Sequence, residues 1–232
     1  MKLTLVVPTY QLGAYLRPML ATLTQQTAPF ELWLVDDGST DGTAAQAAAF
    51  AAQRPEAHFY ALRQHQGVSA ARNYGLAHAT GDAIAFVDGD DRLAPTFVET
   101  LVHGFALGVT AVSVGYRWFR TTPVRALAWQ TVDQATMFGQ VAHHGTQIGG
   151  YVWNKAFARS AIGALRFDES LPLAEDYWFT ANFVANSVGP YAYWPASLYD
   201  KRSRPNSTIH TASFEARQTE ARVFERIRAL QP

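Results

Sequence analysis

Three carboxylates fall within four residues at Asp88-Gly89-Asp90-Asp91, directly after the apolar run Ala83 to Val87. Such a cluster repels itself unless something cationic sits among its members. A hard divalent ion, Mg²⁺ or Mn²⁺, takes oxygen ligands and shares them with substrate phosphates. An Asp-x-Asp at a strand end lets one carboxylate reach the metal while the other reaches a ribose hydroxyl or a metal-bound water. Gly89 lets the backbone turn tightly and a ligand come close. The chemistry would be electrophilic, with the ion offsetting charge that builds on a diphosphate leaving group. An isolated Asp-x-Asp is a weak signal; its place at the end of a strand strengthens it.

Two further polar clusters follow apolar runs: Pro8-Thr9-Tyr10 and Asp36-Asp37-Gly38-Ser39. In an open parallel sheet such strand ends gather along one edge and can converge on one ligand. The bland alternative is ordinary turn and cap chemistry. Arg72 lies on a predicted helix and suits bidentate contacts to phosphate, or else snorkels at the surface. Glu175-Asp176 places two carboxylates together at the start of a predicted helix, where first-turn acidity stabilises a helix N-terminus. Arg202 and Arg204 sit in a basic stretch that either closes over a diphosphate or is simply solvated. His210 is a further metal-ligand candidate, His143-His144 reads as a helix C-terminal pair, and Trp118, Trp153, Trp178 and Trp194 read as core or cleft wall.

The elements that must position these residues alternate. Leu3 to Val7, Leu32 to Val35, Phe59 to Leu62 and Ala83 to Val87 read as strands. Ala14 to Gln26, Thr43 to Gln53 and Val68 to Ala79 read as the helices between them. That alternation predicts an α/β fold with a mostly parallel central sheet flanked by helices. Beyond it, Pro95 to Leu107 reads as a helix, Thr110 to Arg120 and Ala126 to Val132 as strands, and Asp133 to His143 as a helix capped by Asp133. Leu173 to Val188 is helical, Tyr191 to Tyr199 extended. Phe214 to Leu230 forms an amphipathic helix with Phe214, Val223, Phe224 and Ile227 facing inward. One domain over 1–232 is expected, with 1–92 as a nucleotide-binding half and 93–232 as a smaller acceptor-side part.

Composition narrows the function classes. The 232 residues are 48% hydrophobic and carry 19 basic and 19 acidic side chains, so no global field recruits nucleic acid. There are no cysteines, which excludes disulfides, thiolate metal sites and a cysteine nucleophile. No apolar stretch is long enough to span a bilayer and none resembles a signal peptide. A soluble, cytoplasmic protein is expected, with peripheral contact at the inner face of a membrane left open.

Taken together, Val6-Val7-Pro8-Thr9-Tyr10-Gln11, Leu34-Val35-Asp36-Asp37-Gly38-Ser39-Thr40-Asp41, Gly67 to Asn73 with Gly75, and Phe86-Val87-Asp88-Gly89-Asp90-Asp91 resemble a family 2 glycosyltransferase of the GT-A fold. The resemblance implies a Rossmann-like sheet and inverting transfer from a nucleotide-diphosphate sugar, UDP favoured, to an acceptor hydroxyl. It implies that Pro8, Thr9 and Tyr10 flank the base and ribose, that Asp37 bonds a uracil-type base and that Arg72 helps hold the donor. It assigns Asp88, beside Gly89, to the ribose side and Asp90 to the metal. More loosely, Tyr151 to Phe157, with Trp153 and Lys155, resembles the family's acceptor-side segment. Phe167-Asp168-Glu169 and Glu175-Asp176 resemble its base-bearing region, with Asp176 as base. Gln11 departs from the family, which often has Asn there. A hexosyl- or N-acetylhexosaminyltransferase acting on a glycan, lipid-linked or protein acceptor in bacterial surface polysaccharide synthesis follows as an expectation. A sugar nucleotidyltransferase, or a non-catalytic nucleotide-sugar-binding subunit, is the competing reading.

Overall fold

The computed structural model describes residues 1–118, 127–205 and 211–230. Its first half alternates β1 (Leu3–Thr9), α1 (Leu16–Thr24), β2 (Glu31–Asp36), α2 (Thr43–Ala51), β3 (Ala57–Ala61), α3 (Val68–His78) and β4 (Ala83–Phe86). Then follow β5 (Arg92–Leu93), α4 (Phe97–Gly104), β6 (Ala111–Arg117), β7 (Gln130–Val132), α5 (Gln134–Val141), β8 (Lys155–Ala158), α6 (Arg159–Ile162), α7 (Glu175–Asn186), β9 (Tyr191–Asp200) and α8 (Phe214–Ala229). The strands form one sheet in the order β3-β2-β1-β4-β8-β6-β9-β5, with β7 paired to β9. β3, β2, β1 and β4 are mutually parallel, whereas β8 runs antiparallel between β4 and β6. This is the α/β sandwich that the sequence implies, with its parallel half first.

Every residue of β1 is buried, as a strand covered on both faces requires. The strand runs through Pro8 rather than stopping before it, with Pro8 opposite Val35. Its ladder with β4 ends at Val6–Phe86, so the missing Pro8 N–H lies past the last pair and costs no bond. The segment ending in Phe157 closes as the internal strand β8, which sequence periodicity did not separate from its surroundings. Asp133 caps α5, its carboxylate accepting from the Thr136 N–H. On α8 the inward face is narrower than expected: Val223, Phe224 and Ile227 are buried but Phe214 is 78% exposed. Phe214 is the first residue of that helix, and only the C-terminal half docks. Arg120 and Ala126, ends of two expected strands, lie outside the described residues.

Far from the polar strand ends, Glu31 staples β1 to β2. It accepts hydrogen bonds from Thr4 Oγ1 (2.5 Å), Thr80 N (2.8 Å) and Thr80 Oγ1 (2.7 Å) and is 4% exposed. Burial works against its charge, but Thr4, Thr80 and Lys2 outweigh it and hold the carboxyl down at about 2 from an ordinary 4.5. That depression contributes about 3 kcal/mol. The contribution is present above the unfolded pKa and is lost as pH falls from 4.5 towards 2. Chemical denaturation of Glu31→Gln should therefore show a loss of this size at pH 7 that shrinks below pH 4; an unchanged gap across that range would contradict the assignment.

Candidate active site

The ends of β1, β2 and β4 lie side by side in the parallel half of the sheet, and the three polar clusters meet there. Asp36 and Asp37 divide their labour. Asp36 ties strand ends together, accepting from Thr9 Oγ1 (2.9 Å), Ser39 N (2.8 Å) and Ser39 Oγ (2.7 Å). Asp37 receives the backbone N–H groups of Gln66 (2.7 Å) and Gly67 (2.8 Å), and His65 Nδ1 lies 2.8 Å from its Oδ2. The Tyr10 ring stacks on His65 with centroids 3.9 Å apart. Gln11 adopts φ +47°, a conformation that Asn tolerates better than Gln. Gly89 is required sterically. A Cβ on it would lie 2.6 Å from a Leu12 methyl and 3.0 Å from the Pro8 carbonyl oxygen.

The acidic cluster is met by cations of the chain itself. Arg72 Nη2 bonds Asp88 Oδ1 at 3.0 Å, and Lys201 Nζ bridges Asp88 Oδ2 (2.8 Å) and Asp91 Oδ2 (3.0 Å). Arg204 Nε bonds Asp90 Oδ2 at 2.7 Å. Burial opposes the charge of Asp88, but Lys201 and then Arg72 pull its pKa down to about 2. Asp91 goes the other way. Burial, acting with the charges of Asp88 and Asp90 and against Lys201, pushes it up to about 7.

Arg72 also reaches the other acidic pair: its Nη1 donates to Glu175 Oε1 at 2.7 Å. This buried arginine thereby joins the β4 end to the first turn of α7. Helix α3, which carries it, holds the approach to α7 as well. The Asn73 amide clamps the backbone of Phe167 in both directions at 2.9 Å, and Ser69 Oγ donates to Asp168 O. Ala174, just before Glu175, has φ +61° and ψ +20°, a left-handed geometry that a residue with a Cβ adopts only under constraint from its surroundings. Burial and the adjacent Glu175, against the pull of Arg72, push the Asp176 carboxyl up to about 7. That places its proton exchange near neutrality, where a general base works best.

An aromatic wall flanks this site. Trp153 stacks between Tyr151 (4.6 Å) and Tyr199 (4.7 Å) and is 2% exposed. Lys155 lies beneath the wall, fully buried. Its ammonium donates to Ile148 O, Tyr151 O and Asn154 Oδ1 at 2.7–3.2 Å, while burial pushes its pKa down to about 7. Its placement is that of a support for the wall rather than part of its surface. Arg202 lies over the Tyr15 ring, its guanidinium carbon 5.2 Å from the centroid. His210 lies outside the described residues.

Five carboxylates (Asp88, Asp90, Asp91, Glu175 and Asp176) thus face three contacting cations (Arg72, Lys201 and Arg204), an excess of at most two negative charges that shrinks as Asp91 and Asp176 take up protons near neutrality. That excess suits a divalent ion. Among the described residues no group of three or more His, Asp or Glu side chains is arranged to hold a metal unaided. Mg²⁺ and Mn²⁺ sites commonly pair one or two carboxylates with substrate phosphates, so Asp90 together with a diphosphate is a fitting donor set. Two buried guanidinium nitrogens, Arg72 Nε and Arg202 Nη1, have no hydrogen-bond partner among the described residues, as an absent anion would leave them.

Lys201 is the site residue that motif reasoning passed over. Its signal was present: counting by two from buried Tyr199 puts Lys201 on the same face of the β9 extension. His65 was also unmarked, and no periodicity would have found it.

Fold and site define the chain as an α/β domain with an acidic, arginine-bridged cleft at the carboxyl ends of its parallel strands. Residues 4–163 match the model of the family described as Glycosyl transferase family 2. The chain is 30% identical over 220 residues to a Bacillus subtilis (strain 168) protein named as the glycosyltransferase EpsH, covering 89% of this chain and 62% of that one. It therefore spans less than two thirds of that relative's length. S. aureus TarS 1-349 in complex with UDP-GlcNAc superposes with TM-score 0.77 at 21% identity, over 96% of this chain and 65% of that one. The mannosyltransferase PcManGT from Pyrobaculum calidifontis, in complex with GDP-Man and Mn²⁺, superposes with TM-score 0.69 at 21% identity, over 98% and 63%. The chain belongs to glycosyl transferase family 2, and its fold is of the GT-A type.

Proposed function

We propose that the chain transfers a sugar from a nucleotide-diphosphate donor to an acceptor hydroxyl with inversion at the anomeric carbon. The observation that carries this reading is Arg72, whose two Nη nitrogens join Asp88 of the β4 cluster to Glu175 beside Asp176. One buried cation thereby puts the residues suited to a leaving group and the residue suited to a base into one cleft.

The Pro8-Thr9-Tyr10 edge and Asp37 face the base and ribose, Asp88 and Gly89 the ribose side, and Arg72, Arg202 and Arg204 the diphosphate. Asp90 would hold Mn²⁺ or Mg²⁺, which when bound offsets charge on the departing diphosphate. Asp176 accepts the acceptor's hydroxyl proton as oxygen attacks the anomeric carbon from the face opposite the diphosphate, and Glu175 keeps Arg72 in register. The aromatic wall with Trp153 bounds the acceptor side. UDP is the favoured nucleotide, supported by the UDP-GlcNAc that TarS holds, and a growing bacterial surface glycan on a lipid carrier the favoured acceptor. No helix among the described residues is long and apolar enough to cross a membrane.

A panel of UDP-sugars with Mn²⁺, assayed with and without chelator and with Asp90→Ala, tests the reading. We expect chelation and Asp90→Ala each to cut turnover by at least about 100-fold, on the scale of losing one preorganised electrostatic stabiliser. Turnover that survives both would remove the metal from the account. Release of pyrophosphate from a nucleoside triphosphate would instead indicate donor synthesis.

A further inference from the structure

Asp91 is fully buried, so it cannot touch a substrate, yet it collects more bonds than either neighbouring aspartate. Tyr199 OH donates to its Oδ2 at 2.6 Å, Lys201 Nζ to the same oxygen at 3.0 Å, and the Arg202 backbone N–H to Oδ1 at 2.7 Å. All three donors come from one segment, Tyr199 to Arg202, where the chain leaves β9. The Asp88 N–H in turn donates to Tyr199 OH at 3.1 Å, tying the start of that segment to the start of the cluster. Two residues past the Arg202 pin, Arg204 reaches Asp90. An extended chain advances about 3.3 Å per residue, so a slip of one residue at the pin would carry Arg204 out of reach.

We propose that Asp91 is a positioning residue: a buried anchor that fixes the strap Tyr199–Arg204 in register, so that Arg202 and Arg204 face the donor diphosphate beside Asp90. The inference rests on the donor reading above. A carboxylate that served only to neutralise Lys201 would need no bond to the Arg202 backbone, because Lys201 already has Asp88. The anchor spends its oxygens on backbone, hydroxyl and ammonium of a single strap, which is how a register is fixed at several points at once.

The test is a double-mutant cycle read as UDP affinity in the presence of Mn²⁺, by calorimetry, on the full chain. Asp91→Ala and Arg204→Ala should each weaken UDP binding about tenfold, the scale of one charge-assisted hydrogen bond. The double variant should lose less affinity than the two single losses multiplied together, since Asp91 acts in part through that arginine. Unchanged affinity in Asp91→Ala, or losses that multiply in the double variant, would overturn the proposal. Amide hydrogen exchange over 200–205 gives a readout that needs no nucleotide. Exchange there should rise in Asp91→Ala and rise less in Tyr199→Phe, which deletes one hydroxyl; protection equal to wild type in both would overturn it. Should Asp91→Ala fail to fold, Tyr199→Phe carries the same cycle against Arg204→Ala. If the wild type binds no UDP, the nucleotide assignment fails, and the exchange result still decides whether Asp91 anchors the strap.

Discussion

Asp176→Asn should lower kcat by about 10³-fold, within the range attributed to a positioned general base, and leave nucleotide affinity within about twofold. Asparagine keeps the shape of the side chain and removes only its capacity to take a proton. The wild-type enzyme should lose kcat as pH falls through about 7, because Asp176 must be ionised to act and its carboxyl is held near that value. The variant's residual rate should lack this limb. Stability should move the opposite way. The folded pKa lies above the unfolded 3.8, so the ionised form is disfavoured in the fold and stability declines as pH rises between those values. Asp176→Asn should therefore melt at or above the wild-type temperature at pH 8. An inactive variant that also unfolds early would mean that Asp176 holds the fold rather than the proton.

Arg72→Met should be the most destabilising single change in the cleft. The Arg72 side chain is 4% exposed and its guanidinium bonds Asp88 and Glu175, whose side chains are only 21% and 12% exposed. Removing it strands Glu175 and leaves Asp88 with Lys201 alone, beside Asp90, Asp91 and Asp176. Losing one partner of a buried ion pair costs about 3–5 kcal/mol, which for a domain of this size lowers the melting temperature by roughly 10 °C. Donor binding should fall with it. Arg72→Lys keeps the charge but not the fork that reaches both acids, and should recover only part of either loss. A melting temperature within about 2 °C of wild type for Arg72→Met, which would correspond to under about 1 kcal/mol, would show that the bridge is not a structural element.

The parallel half of the fold was legible because strands buried on both faces leave continuous apolar runs, as β1 and β4 do, and because helices of period 3.6 separate them. β8 was not legible. Its four residues, Lys155–Ala158, carry a lysine that pattern rules place at a surface, and only three-dimensional neighbours show that three carbonyl acceptors await it. Phe214 misled for the converse reason: its phase on α8 is apolar, but among the described residues it is left exposed. For the site, sequence marks the acidic cluster as needing a cation but cannot say which. Part of that role belongs to Lys201, Arg72 and Arg204, whose separations from the cluster in the chain are too long for any local rule. What remains for a divalent ion is the negative charge that those cations leave uncompensated.

Anomalous scattering from Mn²⁺ in crystals of the chain grown with UDP examines the central claim most directly, since one map reports both the ion and the nucleotide. The account predicts a single strong peak within coordination distance of an Asp90 carboxylate oxygen and of the diphosphate, with Arg204 turned from Asp90 towards the phosphates and Asp176 away from the ion. A nucleotide bound away from Asp88 and Arg72, or a peak bound to Asp176 instead of Asp90, would contradict it.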